Sequence, residues 1–134
     1  MSLNDALKTI VNDVDGALGA GVVDLNSGML LGAQHSVPYF TQSYLDAVGA
    51  AAVDLFRGRN ISAVYKMLGA QKGDDSVGHI IEMQMTSDNT FHFMIVLKDK
   101  PDALLVLITG RKTNLGMGWA AVRNAIPNIA PFCP

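Results

Sequence analysis

The sequence feature that most constrains the fold is a pair of apolar runs separated by a five-residue polar segment. The runs cover residues 77–85 and 91–98, and Thr86-Ser87-Asp88-Asn89-Thr90 lies between them. Polar turn residues between two β-rich runs are typical of a hairpin. A third run, 103–109, follows Asp99-Lys100-Pro101-Asp102, where proline favours a turn because it cannot donate a hydrogen bond within a central strand. The pattern therefore predicts three consecutive antiparallel strands.

The residues before these strands predict a helix and then a hairpin. Ser2 or Asn4 can cap the helix, which we expect to end near Gly16. Its apolar residues recur at helical spacing: Leu3, Leu7, Ile10, Val11 and Val14. Small and β-branched residues predict a strand over 17–25 and a returning strand over 29–33. Gly28 lies in the turn between them, where a positive φ favours glycine.

The second helix is predicted over residues 44–56, with Thr41 as its N-cap, and is apolar around most of its circumference. Asp46, Asp54 and Arg57 leave it only a narrow polar strip. A helix that is apolar on nearly all sides is normally covered on two of them. We therefore expect its own sheet to cover one side and a second molecule to cover the other.

The rest of the chain divides into a helical continuation, a loop and a last helix. Gly58-Arg59-Asn60 predicts a break, after which apolar residues continue at helical spacing: Ile61, Val64, Tyr65 and Leu68. The polar, glycine-rich segment 69–78 predicts an exposed loop. A short helix is predicted over 117–126, ended by Pro127. We expect one domain, 1–134, with a core over about 3–126 and a tail over 127–134.

Composition limits the classes of protein to which this chain can belong. It has 134 residues, of which 49% are apolar and 16% charged, and such an apolar surplus predicts a subunit interface. A net charge of −2 argues against nucleic-acid binding. No apolar run approaches the about 20 residues of a membrane span, and no secretory signal pattern begins the chain. We expect a cytoplasmic protein.

No group of residues predicts a catalytic, cofactor or metal site. His79 and His92 fall on one side of the predicted hairpin but about 20 Å apart along it, and His35 lies alone in a loop, so a shared metal is not expected. Cys133 is the only cysteine, which excludes an intramolecular disulfide and predicts an idle thiol. One face of the hairpin carries three methionines, which predict either core packing or an adaptable contact surface: Met83, Met85 and Met94.

The element order resembles that of the Roadblock family of dynein light-chain-like and GTPase-regulatory domains. Two motifs carry the likeness, which spans residues 3–126: Val23-Asp24-Leu25-Asn26-Ser27-Gly28 and Asn114-Leu115-Gly116. The resemblance implies an α+β, Roadblock/profilin-like fold. Its three-layer α/β/α sandwich surrounds a five-stranded antiparallel sheet of order 2-1-5-4-3, with the long helix on one face and the terminal helices on the other. It also implies homodimers joined through the long helix and the third strand. Family members regulate Ras-like small GTPases or link the subunits of larger assemblies, and do not catalyse reactions.

We predict dimer contacts on the long helix and along the third-strand edge. These residues are Leu45, Val48, Ala52, Leu55, Phe56, Ile80, Glu82 and Gln84. Gly28, Asn114 and Gly116 are predicted structural turns. Val48→Asp is expected to dissociate or unfold the protein because it would bury an unpaired carboxylate.

Two other functions stay open at this point. One is a small-molecule-sensing domain with a pocket between sheet and helix, lined by Tyr44, Phe93, Met94 and Trp119. The other is a small hydrolase, for which no nucleophile, base or acid can be named. The first would be recognised by a retained ligand.

Overall fold

A computed structural model describes residues 1–73 and 78–134. The helices are α1 (Leu3–Asp13), α2 (Gln42–Arg57), α3 (Arg59–Lys72) and α4 (Leu115–Ile129), followed by a 3₁₀ turn (Ala130–Phe132). The strands are β1 (Ala17–Asp24), β2 (Leu30–His35), β3 (Glu82–Thr86), β4 (Thr90–Leu97) and β5 (Lys100–Gly110).

The five strands form one antiparallel sheet in the order β2-β1-β5-β4-β3. Side chains alternate between the two faces of each strand, and β4 shows the result. Phe91, Phe93 and Ile95 enter a core with α1 and α4, whereas Met94 enters a second core with α2. The structure confirms the three-layer sandwich that the resemblance implies.

Pro101 lies within β5, and the prediction of a turn at this position is wrong. Lys100 is paired with Leu97 of β4, but the preceding β4 residue, Val96, is paired with Leu104. Residues 101–103 therefore bulge away from the β4 ladder, where the missing N–H of proline costs no hydrogen bond. From Ala103 onward β5 is buried up to Thr109.

Local signals fix several helix and strand ends. Ser2, not Asn4, caps α1, accepting a hydrogen bond from the Asp5 backbone N–H while the Asp5 carboxylate accepts one from the Ser2 N–H. Thr41 caps α2 and Asn114 caps α4. Gly28 has a φ of +77° in the β1–β2 turn. Gly116, predicted as a turn, is the second residue of α4.

Two predicted boundaries between α3 and β3 are wrong, the first because helix propensity outweighs the glycine signal. Residues 69–72 continue α3, since alanine, glutamine and lysine are good helix formers, and α3 ends at Lys72 with Gly73 as its C-cap. Residues 74–77, including the predicted start of the third strand at Val77, lie outside the described residues. The strand itself begins only at Glu82.

The segment 127–134, predicted as a tail, contributes two buried side chains to the core. α4 passes through Pro127 and ends at Ile129, which is fully buried. Cys133 is also buried, and its carbonyl oxygen accepts a hydrogen bond of 2.9 Å from the Lys100 ammonium. Burial of these two side chains offsets the one helical hydrogen bond that proline cannot donate.

Candidate functional site

The two sides of α2, which periodicity cannot separate, are distinguished by the structure. Ala52 and Phe56 are only 2% and 6% exposed because they pack into the core beside β5. Leu45 and Leu55 are half-buried against the same core. Val48 is half-buried over the glycine-rich strand β1. Ala52 and Phe56 were predicted as dimer contacts, but their side chains are already covered by their own chain.

The opposite side of α2 is exposed and carries small apolar residues. Ala47, Ala50 and Ala51 lie there together with polar Ser43 and Asp54. Tyr44, at the beginning of the helix, is partly exposed and packs on Phe40 with ring centroids 4.7 Å apart. Burial, and secondarily Tyr39, raises the pKa of the Tyr44 hydroxyl. This side is thus available to a partner, although it is more polar than the sequence predicted.

Helix α3 exposes the largest apolar side chains near the predicted interface. Val64 and Met67 are 59% and 62% exposed, and Leu68 is also exposed. Ile81, just before β3, is 66% exposed. The helical spacing predicts the stripe that contains Val64 and Leu68, but the predicted interface does not include it. The signal in the sequence was this apolar stripe itself, since no other segment was predicted to cover it.

Strand β3 forms one edge of the sheet, pairing only with β4 among the described strands. The predicted edge residue Glu82 accepts hydrogen bonds of 2.9 and 3.0 Å from Arg123 of α4. Arg123 also lies over the Trp119 ring at 4.8 Å. Gln84 donates to the Thr86 hydroxyl, whereas Ile80 lies before the strand and is half-buried. The outer backbone edge of β3 is a template for another strand.

A cavity of about 800 Å³ lies between α3 and the sheet. Its walls are mainly apolar, with three basic side chains among them: Arg57, His79 and Lys98. None of the four side chains predicted to line a pocket reaches it. Phe93 and Trp119 pack edge to face at 5.4 Å in the α4 core, whereas Tyr44 and Met94 lie on the α2 side of the sheet. The four residues are therefore divided between two faces and form no common pocket.

Arg57 anchors the junction between α2 and α3. Its guanidinium donates to the Asn26 side chain at 2.8 Å, to the Pro101 carbonyl at 2.9 Å and to the Asp102 carboxylate at 2.8 Å. The hydrogen bond from Arg57, and then the one from Asn26, lowers the pKa of Asp102. One side chain thus links the end of α2 to the β1–β2 turn and to the beginning of β5.

The three histidines lie in different elements of the chain. His92 lies opposite Met85 in the β3–β4 pair, whereas His79 lies before β3 instead of within it. His35, predicted in a loop, is the last residue of β2 and packs near Phe40 with ring centroids 5.8 Å apart. In the described part of the chain, no three His, Cys, Asp or Glu residues are grouped as metal ligands.

Comparison with known proteins identifies the fold. No family model and no curated protein matches the sequence. A Roadblock/LC7 domain from Streptomyces avermitilis superposes with a TM-score of 0.70 at 15% identity, covering 98% of both chains. The gliding protein MglB from Thermus thermophilus gives 0.71 at 17% identity, over 98% of this chain and 87% of the other. An MglB with a tetrameric arrangement gives 0.72 at 17% identity, with the same coverages. The chain has the Roadblock/LC7 fold.

Membrane insertion through a helix finds no support in the structure. Across residues 1–73 and 78–134, each helix is too short or too polar to cross a bilayer.

Proposed function

We propose that this Roadblock/LC7 fold serves as a non-enzymatic regulatory or scaffold domain, which forms a homodimer and acts on a Ras-like small GTPase or within a larger assembly. The observation that carries the proposal is the exposed apolar surface of α3 and of the segment before β3. Val64 and Met67, about one turn apart on α3, and Ile81, just before β3, are each more than half exposed, and exposed apolar surface of this kind marks protein–protein interaction sites.

The edge of β3 supports the same proposal. An uncovered edge strand binds a second strand through backbone hydrogen bonds, and the exposed alanines of α2 allow a second helix to approach closely. One solved structure of this fold is described as MglB with a tetrameric arrangement, which supports self-association as a property open to the fold. Regulation of a small GTPase comes to this chain from the resemblance to Roadblock proteins.

The dimer is tested by placing charge on α3. Val64→Glu combined with Met67→Glu retains good helix formers but would bury two carboxylates in the proposed interface. We expect sedimentation equilibrium to show a dimer for the wild-type chain and a monomer for the double variant. Met117→Glu, at an exposed methionine of α4, is the control and should stay dimeric. A wild-type monomer at micromolar concentration would contradict the proposal.

The GTPase partner is tested by capture from the native cell. The immobilised chain is incubated with lysate in which the small GTPases have been loaded with GDP or with a non-hydrolysable GTP analogue. Bound small GTPases are identified by mass spectrometry. We expect capture in one nucleotide state, with loss in the Val64→Glu/Met67→Glu variant if the dimer creates the docking site. Absence of any nucleotide-dependent GTPase would reject this partner.

A second candidate, a small-molecule sensor, is favoured by the cavity of about 800 Å³ beside α3. Its volume and apolar lining fall within the range of ligand pockets, although its lining differs from the one predicted. Native mass spectrometry of freshly purified protein distinguishes the two candidates. A retained ligand of constant mass, lost in an Ile61→Trp variant that fills the cavity, would favour sensing.

A further inference from the structure

Three methionines and a histidine form a compact group on one face of the β3–β4 hairpin. Met83 is paired directly with Met94, and Met85 is paired directly with His92. The Cβ atoms of such opposed residues lie about 4.5–5.5 Å apart, and residues two apart along a strand are separated by about 6.6 Å. Because Met83 and Met94 both pack in the α2-side core, alternation places Met85 and His92 on that face too. We call these four residues the Met/His group.

His92 brings a ring nitrogen without a partner to the Met/His group. Its Nδ1 atom is excluded from solvent and has no hydrogen-bond partner among the described residues. A buried polar atom without a partner is uncommon and needs an explanation. Burial also lowers the pKa of this imidazole.

The surroundings of the Met/His group favour a soft cation over a hard one. The acidic residue of β3, Glu82, points to the other face and binds Arg123 there. Cys133 lies in the opposite core, with α4. Thioether and neutral imidazole ligands without a carboxylate suit Cu(I), whereas Mg²⁺ and Ca²⁺ require oxygen ligands.

Access to the Met/His group comes from the outer end of the hairpin. Met85 is exposed and Met94 is buried, so the group extends from the surface into the protein. Helix α2 packs on β1 and β2, which lie at the other side of the sheet from β3. A cation can therefore reach the Met85 thioether directly from the surface, whereas Met94 lies deeper, in the core with α2.

We propose that Met83, Met85, Met94 and His92 form a binding site for a soft monovalent cation, Cu(I) or its analogue Ag(I). The three thioether sulfurs and the imidazole Nδ1 supply neutral ligands, and the bound ion satisfies the buried nitrogen. No redox step is involved, because the cation binds and leaves in the same oxidation state. The site lies within one chain, so it does not depend on the homodimer or on a GTPase.

The test is a titration of the full chain with Ag(I), followed by NMR of methionine methyl groups labelled with ¹³C. The chain has seven methionines, so the four outside the Met/His group serve as internal controls. We expect saturation at one ion per chain, with shifts at the methyl groups of Met83, Met85 and Met94 and at the His92 ring. Zn²⁺ at the same concentration should leave these signals unchanged.

A matched pair of variants measures the contribution of one ligand to Cu(I) affinity. Met85→Leu conserves volume and removes a thioether, and Met117→Leu makes the same change at an exposed position on α4. In competition with a chromophoric Cu(I) chelator, Met85→Leu should weaken binding at least about tenfold, and Met117→Leu should not. Both variants are compared again with Cys133→Ala added, which removes thiolate binding; the NMR titration of the wild-type chain needs no substitution.

Three outcomes would overturn the proposal. One is the absence of saturable shifts in the wild-type titration. Another is a response confined to the methionines outside the Met/His group or to Cys133. The third is equal affinity in the Met85→Leu and Met117→Leu chains. None of these results bears on self-association, which is measured separately by sedimentation.

Discussion

Gly118 shows how a single missing side chain positions a helix. A Cβ atom at this position would overlap the Phe93 ring, with two further ring carbons at 2.8 Å. Phe93 is fully buried and cannot move into solvent. The close approach of α4 to β4 therefore depends on glycine here, a constraint that helical periodicity does not reveal.

Gly118→Ala is expected to lower the free energy of unfolding by about 1–3 kcal/mol through overpacking. This loss outweighs the helix propensity of alanine, which is about 1 kcal/mol more favourable than that of glycine. Chemical denaturation measures the change. Gly110→Ala is the control, because its Cβ would meet nothing closer than the Gly16 carbonyl oxygen at 3.9 Å. Equal stability of the two variants would show that α4 shifts freely.

Cys133 is predicted from its position to be an idle thiol, and its burial gives that expectation a physical basis. Burial raises the pKa of the thiol, and the Sγ atom lies 3.5 Å from the Ile129 carbonyl. Since only the thiolate reacts, we expect alkylation at pH 8 at least about tenfold slower in the folded chain than in denaturant. Equal rates would mean that the C-terminal segment does not pack as described.

The junction of α2 and α3 depends on a short helix break and on one arginine. Gly58 separates two helices that would otherwise form one, and Arg57 fixes the end of the first one by three hydrogen bonds. The break could be predicted from Gly58-Arg59-Asn60. The partners of Arg57 could not, because Asn26 and Asp102 are distant in sequence.

Arg57→Ala is expected to lower the melting temperature at pH 7, and Arg57→Lys to restore it only in part, because an ammonium lacks the planar fork. The pKa of Asp102 is lowered in the folded state, so its stabilisation is complete above the unfolded value of 3.8 and is lost as the pH falls below it. Thermal denaturation of the three chains from pH 7 to pH 3 should thus show the difference shrinking in acid. A difference independent of pH would exclude the Asp102 contribution.

Elements with local signals could be predicted, and elements decided by packing could not. Thr41 and Gly28 give the α2 cap and the hairpin turn directly from residue type. Pro127 misleads, because the rule that proline ends a helix competes with the burial of Ile129. Periodicity gives the width of an apolar stripe but not which part of it faces the core. It therefore predicts Ala52 at the interface, whereas in the structure the neighbouring Ala51 is the exposed residue.

The whole molecule divides its apolar residues among two cores and an exposed surface. The α1/α4 core and the α2 core contain the buried apolar side chains of the sheet, and α3 with the segment before β3 carries part of the exposed apolar surplus that the composition predicts. The architecture could therefore be predicted from the element order and the resemblance. The exposed surface on α3 could not, because exposure is a property of the assembled chain.

The central proposal, that the chain forms a homodimer through the exposed surfaces of α3 and α2, is tested most directly by sedimentation equilibrium of an Ala51→Glu variant. Ala51 is exposed in the single chain, so the substitution should not disturb the monomer, and Ala120→Glu on α4 is the matched control. We predict twice the 14.3 kDa chain mass for the wild type and the control, and a single chain mass for Ala51→Glu. A dimer that persists in Ala51→Glu, or a monomeric wild type, would contradict this account.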